Sequence, residues 1–76
     1  MKEVRLKDLY ICAFLINEKQ NLIRMENDGI RCWFVFEQTT KLDALIESYW
    51  QDKAFTKVKS YVNKIRDLKD RIFSEK

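Results

Sequence analysis

The sequence predicts a single small α+β domain of order α-β-β-α-α, in which a two-stranded antiparallel hairpin packs on three helices. The dipeptide Asp28-Gly29 lies between two apolar runs, which is the strongest short-range signal for a hairpin. Three further segments have apolar patterns typical of helices. The 76 residues include one glycine and no proline. We therefore expect one domain over residues 1–76, with short connections between regular elements.

The first helix is expected over residues 8–19, "DLYICAFLINEK". Asp8 near its start and Lys19 in its last turn suit the helix macrodipole. A buried strand is the rival assignment for so short an apolar run, but the polar end "INEK" favours a helix. Because the middle is apolar on every side, more than one element should cover this helix.

The hairpin follows, with strands over residues 21–27 and 30–37. If Asp28 and Gly29 form a type I′ turn, the pairing of the two strands is fixed. The predicted pairs are Glu26–Arg31, Met25–Cys32, Arg24–Trp33, Ile23–Phe34 and Leu22–Val35. Directly opposed residues share a face of the sheet. The face toward the helices should then carry Ile23, Met25, Cys32, Phe34 and Phe36.

The other face of the hairpin combines large apolar side chains with arginines. Such a face normally meets water, so the arginines could cover Trp33 by stacking, a further element could cover it, or a partner could bind there. A short strand from Val4 to Leu6 could pair with an edge of the hairpin. Tryptophan and arginine are enriched at binding hot spots. The predicted protein-binding site therefore consists of Trp33, Arg24, Val35, Leu22 and Arg31.

Two more helices are expected over residues 39–52 and 56–73. Thr39 or Thr40 can cap the second helix, and Thr56 the third. Phe55, in the link between them, is expected to anchor in the core, and Trp50 lies at the edge of the apolar stripe of the second helix. That stripe is Leu42, Leu45, Ile46 and Tyr49. The stripe of the third helix is Val58, Tyr61, Val62, Ile65, Leu68 and Ile72.

The available chemistry points away from an enzyme. The chain has no histidine, so it lacks the commonest general base and metal ligand. Its lone glycine rules out a glycine-rich phosphate loop. Cys12 and Cys32 fall inside apolar patterns, and two buried thiols are favoured over a disulfide. We expect no metal site and no cofactor.

Positive charge is concentrated in the last third of the chain. Residues 53–76 hold eight Lys and Arg against three Asp and Glu, whereas residues 1–52 hold seven against nine. Five basic residues of the third helix could contact nucleic acid. Three of them are spaced by seven and two flank the core stripe: Lys57, Lys64, Arg71, Lys59 and Arg66. Asp67 and Asp70 share the exposed arc, which weakens this alternative.

Four segments resemble a family of small domains of unknown function found in phages and integrated mobile elements of Gram-positive bacteria. They are "KDLYICAFL", "DGIRCWFVFE", "SYW" and "LKDRIF", and the resemblance runs from Leu6 to Phe73. It implies a small accessory protein of mobile DNA and no assigned activity. This chain departs from the family pattern at "NEKQNL", where the family tends to have a glycine, so Asn17 or Asn21 is expected to replace glycine as the C-terminal cap of the first helix.

The leading hypothesis is therefore a non-enzymatic interaction module that docks on a protein, such as a host factor, a replication or packaging protein, or a defence nuclease. The alternative is a DNA-binding accessory or regulatory protein that uses the basic third helix. Self-association as a homodimer is a further outcome. The apolar run of the first helix is too short to span a bilayer, and with no targeting signal we expect the cytoplasm of a bacterial host cell, without membrane contact.

Overall fold

The computed structural model describes residues 2–74 and contains three helices and one three-stranded antiparallel sheet in that range. The elements follow the order β-α-β-β-α-α, so the predicted α+β class is confirmed. Their bounds are β1 Glu3–Leu6, α1 Leu9–Asn17, β2 Leu22–Asn27, β3 Cys32–Glu37, α2 Thr40–Trp50 and α3 Val58–Ser74.

The N-terminal strand β1 pairs antiparallel with β3, which confirms the expected third strand. The sheet order is β1-β3-β2, so β3 is the central strand and the hairpin has an edge covered by β1. Val35 faces Arg5 on one side and Arg24 on the other. This central position explains why Phe34, Val35 and Phe36 are all buried.

The hairpin pairs two residues away from the predicted register. Glu26 faces Trp33 and Arg24 faces Val35, instead of the predicted partners Arg31 and Trp33. The Asp28 backbone N–H donates to the Arg31 carbonyl, at 3.1 Å, so the turn is centred on Gly29 and Ile30. Because side chains alternate with a period of two, a shift of two residues leaves each side chain of β3 on its predicted face.

The side chain of Asp28 explains why the turn moves. Its carboxylate accepts hydrogen bonds from the N–H groups of Ile30 and Arg31, at 3.0 and 2.7 Å. The same bonds lower the pKa of Asp28. Asp28 therefore flanks the turn as an Asx-type acceptor, and Gly29 takes the left-handed φ of 91° alone. The type I′ turn at Asp28-Gly29 was the wrong prediction.

A β-bulge in β2 overturns the predicted faces of two residues. The register breaks between Leu22 and Arg24, so that Leu22 faces Phe36 and Ile23 is the extra residue. Leu22 packs against the core cluster. It was expected on the opposite face beside Val35, and Ile23 was expected opposite Phe34. A bulge inserts one residue and reverses the alternation beyond it, which no local pattern in "LIRM" indicates.

Helix α1 is the centre of the core. Its five residues from Ile11 to Leu15 are all buried, which confirms that several elements cover it. The Asp8 carboxylate accepts from the Tyr10 N–H at 2.9 Å and so caps the helix. Both cysteines are thiols, with Cys12 buried and Cys32 half-buried. Burial raises the pKa of Cys12 to about 12, so this thiol stays protonated at neutral pH.

Two residues after the last residue of α1 and of α2, the chain adopts a left-handed conformation at a residue that is not glycine. Lys19 has φ 66° and Asp52 has φ 59°. The Gln20 N–H donates to the Leu15 carbonyl, and the Lys53 N–H to the Ser48 carbonyl, as in a Schellman motif. The expected caps Asn17 and Asn21 do not fill this position. Helix α1 therefore ends two residues earlier than predicted.

The start of α3 also differs from the prediction. The Thr56 hydroxyl does not cap α3: it donates to the Glu18 carboxylate at 2.9 Å and accepts from the Asn17 amide at 2.6 Å. Helix α3 begins at Val58, and Phe55 is 89% exposed instead of anchored in the core. For α2, the alternative caps resolve to Thr39, whose hydroxyl accepts from the Leu42 N–H at 2.9 Å.

Candidate functional site

The outer face of the sheet, opposite the helices, carries ion pairs that cross the central strand. Arg24 on β2 donates two hydrogen bonds to the Glu3 carboxylate on β1, at 2.8 and 3.0 Å. Arg5 on β1 pairs with Glu26 on β2 at 3.1 Å, and Arg24 also contacts Glu26 at 2.9 Å. These four side chains link the two edge strands above β3.

Two apolar residues of the predicted protein-binding site, Val35 and Trp33, lie beneath this ionic layer. Val35 is 0% exposed. Trp33 is half-buried, with the Arg5 guanidinium 4.9 Å from its ring centroid. A cation over the indole was therefore expected correctly, but the cation belongs to Arg5 and not to Arg24.

The five residues of the predicted site do not form one surface. Arg24 and Trp33 share the outer face, whereas Arg31 lies exposed at the turn and Leu22 faces the core. Hydrogen bonding to Arg24 lowers the pKa of Glu3, and the same contact raises the pKa of Arg24, so both remain ionised. The face that the sequence predicted to be apolar is mostly charged in the folded chain, and its charged side chains form ion pairs with one another.

The basic residues of α3 are divided between two sides of the helix. At 3.6 residues per turn, Lys59 and Arg66 lie about 140–180° around the axis from Lys57 and Lys64. Lys57 and Lys64 line a groove of about 650 Å³ between the end of α1 and the start of α3, together with polar groups such as Glu18. Arg71 continues their row. The five residues proposed for nucleic acid are therefore not brought onto one face.

An exposed apolar surface lies instead along one side of α3. It consists of Phe55, Val58, Val62 and Phe73, which we call the exposed flank. Their exposed fractions are 89%, 74%, 38% and 67%. Around the helix axis, Val58, Val62 and Phe73 fall within about 60° of one another. Exposed apolar side chains grouped on one side of a helix are a common mark of a protein-interaction site.

Sequence reasoning missed the exposed flank because it assigned Val58 and Val62 to the core stripe. The core-facing residues of α3 are Tyr61, Ile65, Leu68 and Ile72. Val58 and Val62 lie at one margin of that stripe, beyond the reach of the elements that cover it. The width of the apolar arc of α3 could have revealed them, because it exceeds what contact with a single neighbouring helix requires.

A cavity opens beside the N-terminal end of the exposed flank. It has a volume of about 260 Å³, and Ala54 and Thr56, the neighbours of Phe55, contribute to its wall. The other lining residues are Phe14, Tyr49, Asp52 and Tyr61. The Tyr61 hydroxyl donates to the Tyr10 carbonyl at 3.1 Å. Burial raises the pKa of Tyr49 and Tyr61, so both hydroxyls stay neutral and the wall carries one charged group, Asp52.

Trp50 adds a second exposed aromatic side chain near this cavity. It is 68% exposed and packs edge-on against Tyr49, whose ring centroid lies 5.5 Å away. In residues 2–74 no cluster of His, Cys, Asp and Glu could hold a metal ion. No helix in the same range combines the length and the hydropathy needed to cross a bilayer.

Comparison with known proteins identifies the domain type but assigns no activity. No curated protein and no solved structure matches the chain. Over residues 1–74 the sequence matches the family described as a domain of unknown function, DUF5659, and the chain therefore belongs to that family.

Proposed function

We propose that this domain is a non-enzymatic interaction module that docks on a protein partner through the exposed flank of α3. One observation carries the proposal: four of the seven exposed large apolar side chains in residues 2–74 belong to the exposed flank. Leaving Phe55 89% exposed forgoes the stabilisation that its burial would give, about 1.5–3 kcal/mol. A partner that buries the ring would recover that stabilisation.

The exposed flank replaces the outer face of the sheet as the docking surface. A partner on the outer face would have to displace the Arg24–Glu3 and Arg5–Glu26 pairs before it could reach Val35. The side chains of the exposed flank are 38–89% exposed, so a partner can reach them directly. The setting that we propose is an accessory protein of a phage or mobile element, whose target is a host factor, a replication or packaging protein, or a defence component.

Site-specific photo-crosslinking in bacterial cells tests this proposal. Phe55 and Ile30 have the same exposed fraction, 89%, and lie at different places in the fold. A photoreactive phenylalanine at position 55 should give discrete, nuclease-resistant protein adducts. The same residue at position 30 is the matched control and should give none. Adducts at position 33 but not at position 55 would return the docking site to the sheet.

The alternative function is a DNA-binding accessory protein that uses Lys57, Lys64 and Arg71. Its support is the groove of about 650 Å³ that Lys57 and Lys64 line together. It requires retention on duplex or single-stranded DNA that weakens steeply with salt and is lost when the three residues become Glu. If crosslinked complexes disappear on nuclease treatment, this alternative replaces the proposal.

A further inference from the structure

Basic side chains lie close to the exposed flank along α3. Three exposed residues, Lys59, Arg66 and Lys69, lie within about 100° of Val58 around the helix axis, and we call them the basic rim. Lys69 lies between the angular positions of Val58 and Val62. Asp67 lies about 180° from Val58, whereas Asp70 lies about 60° and three residues from Phe73, so the basic rim borders Val58 and Val62 and is interrupted beside Phe73.

We infer that the partner presents an acidic amphipathic helix to the exposed flank. This inference rests on the proposed function and names the chemistry of its partner. Apolar residues of the partner helix would pack on Val58, Val62 and Phe73. Its carboxylates would lie opposite Lys59, Arg66 and Lys69, where complementary charges favour encounter and set the register.

The shape of the surface fits a helix. Val58 and Phe73 are 15 residues apart on one helix, a distance of about 22 Å along its axis. Amphipathic helices bind such rows with anchors at i, i+3, i+4 and i+7. The wall of the cavity of about 260 Å³ beside Phe55 combines the apolar groups of Phe14, Ala54 and the two tyrosine rings with the polar side chains of Asp52 and Thr56. One apolar anchor of the partner could enter it.

The basic rim disfavours other occupants. A second copy of this chain would bring one basic rim against another, and like charges at an interface oppose association. An anionic membrane would receive the apolar side chains, but Lys69 lies in the middle of their row and would be drawn into the apolar layer. Nucleic acid would satisfy Lys59 and Arg66 and leave Val58, Val62 and Phe73 without an apolar partner.

Binding of designed peptides tests the inference directly. One peptide of about 16 residues has Leu at i, i+3, i+4 and i+7 and Glu beside them. A second has the same Leu pattern with Lys in place of Glu. Fluorescence anisotropy should show the acidic peptide binding the wild-type domain at least about tenfold more tightly than the basic one.

Charge reversal on the protein provides the matched control. The triple variant K59E/R66E/K69E should lose about tenfold in affinity for the acidic peptide and gain affinity for the basic one. The triple variant K57E/K64E/R71E changes the same number of charges on the other side of α3. It should alter both affinities by less than about threefold. Circular dichroism establishes that each variant remains folded.

Four results would overturn the inference. The first is equal binding, or no binding, of the two peptides. The second is binding to phosphatidylglycerol vesicles that the acidic peptide cannot displace. The third is retention on duplex DNA that K59E/R66E/K69E abolishes. The fourth is a concentration-dependent dimer that Phe55→Ser abolishes, which would assign the flank to self-association.

Photo-crosslinking separates this failure from failure of the proposed function. If adducts form at position 55 in the wild-type chain and persist in K59E/R66E/K69E, the flank docks a protein but not through acidic groups. If no adducts form at position 55, the proposed function itself fails.

Discussion

The outer face of the sheet and the exposed flank of α3 both place large apolar side chains outside the main core, yet those of the flank are far more exposed to solvent. On the sheet, Val35 and Trp33 lie beneath ion pairs that join β1 to β2. On α3, the basic rim borders the apolar row without covering it. The difference shows that apolar composition alone does not locate a docking surface. Apolar side chains stay accessible only where oppositely charged side chains on either side of them do not pair above them.

The largest expected effect comes from the same substitution at two valines. Val35→Asp would bury a carboxylate at a position that is 0% exposed, and should destabilise the domain by about 4 kcal/mol. A domain of this length has a total stability of roughly 4–11 kcal/mol. Val58 is 74% exposed in the first turn of α3, so Val58→Asp should change stability by less than about 0.5 kcal/mol. Urea unfolding measures both.

A smaller effect is expected for Trp33→Ala. The ring is half-buried beneath Arg5, so its removal should destabilise the domain by about 1.5 kcal/mol while leaving it folded. Crosslinking at position 55 should be unchanged in this variant. Loss of those crosslinks in a folded Trp33→Ala protein would show that the sheet takes part in docking.

A stabilising substitution outside the flank would provide a background in which substitutions in the flank can be tested for binding without unfolding the domain. Lys19→Gly should raise the free energy of unfolding by about 1 kcal/mol, because glycine adopts the φ of 66° without a Cβ clash. Lys19→Ala is the matched control and should not stabilise, since alanine keeps the Cβ. Thermal unfolding compares the two variants, and equal melting temperatures would contradict a strained left-handed Lys19. The glycine variant then provides a more stable background for substitutions in α3.

The smallest expected effect is the response of the ionic layer to acid. Arg24 lowers the pKa of Glu3 below its usual value of 4.5. A group with a lowered folded-state pKa contributes stability above its unfolded pKa and loses it as the pH falls through the folded value. Glu3→Gln should therefore lower the melting temperature slightly at pH 7. This difference should shrink below about pH 4.5 and vanish at still lower pH.

Local sequence signals predicted the elements well and the long-range contacts less well. Asp28-Gly29 located the hairpin, and Asp8 and Thr39 located two helix starts, because these signals depend on bonds within a few residues. The β-bulge at Ile23 depends on how β2 fits a core that the local sequence does not describe. The exposure of Phe55 depends on where α3 packs, so an apolar residue in a short link was wrongly assigned to the core.

The candidate site was the part least accessible from sequence. The arginine that covers Trp33 comes from β1, and its partner Glu26 comes from β2, so neither contact is visible from residues close in the chain. The exposed flank was missed because a local pattern was present but pointed to the core. Val58 and Val62 repeat at core-like spacing, and helical periodicity states which residues share a side but not how wide a strip the neighbours cover.

The bulge in β2 has a consequence for how the molecule behaves in crowded solution. β2 is an open margin of the sheet, where unpaired backbone groups could template the addition of further strands. An extra residue at Ile23 twists this margin and interrupts its ladder, so a flat run of donors and acceptors is not offered to passing chains. Fibre-like growth through the sheet is thereby discouraged.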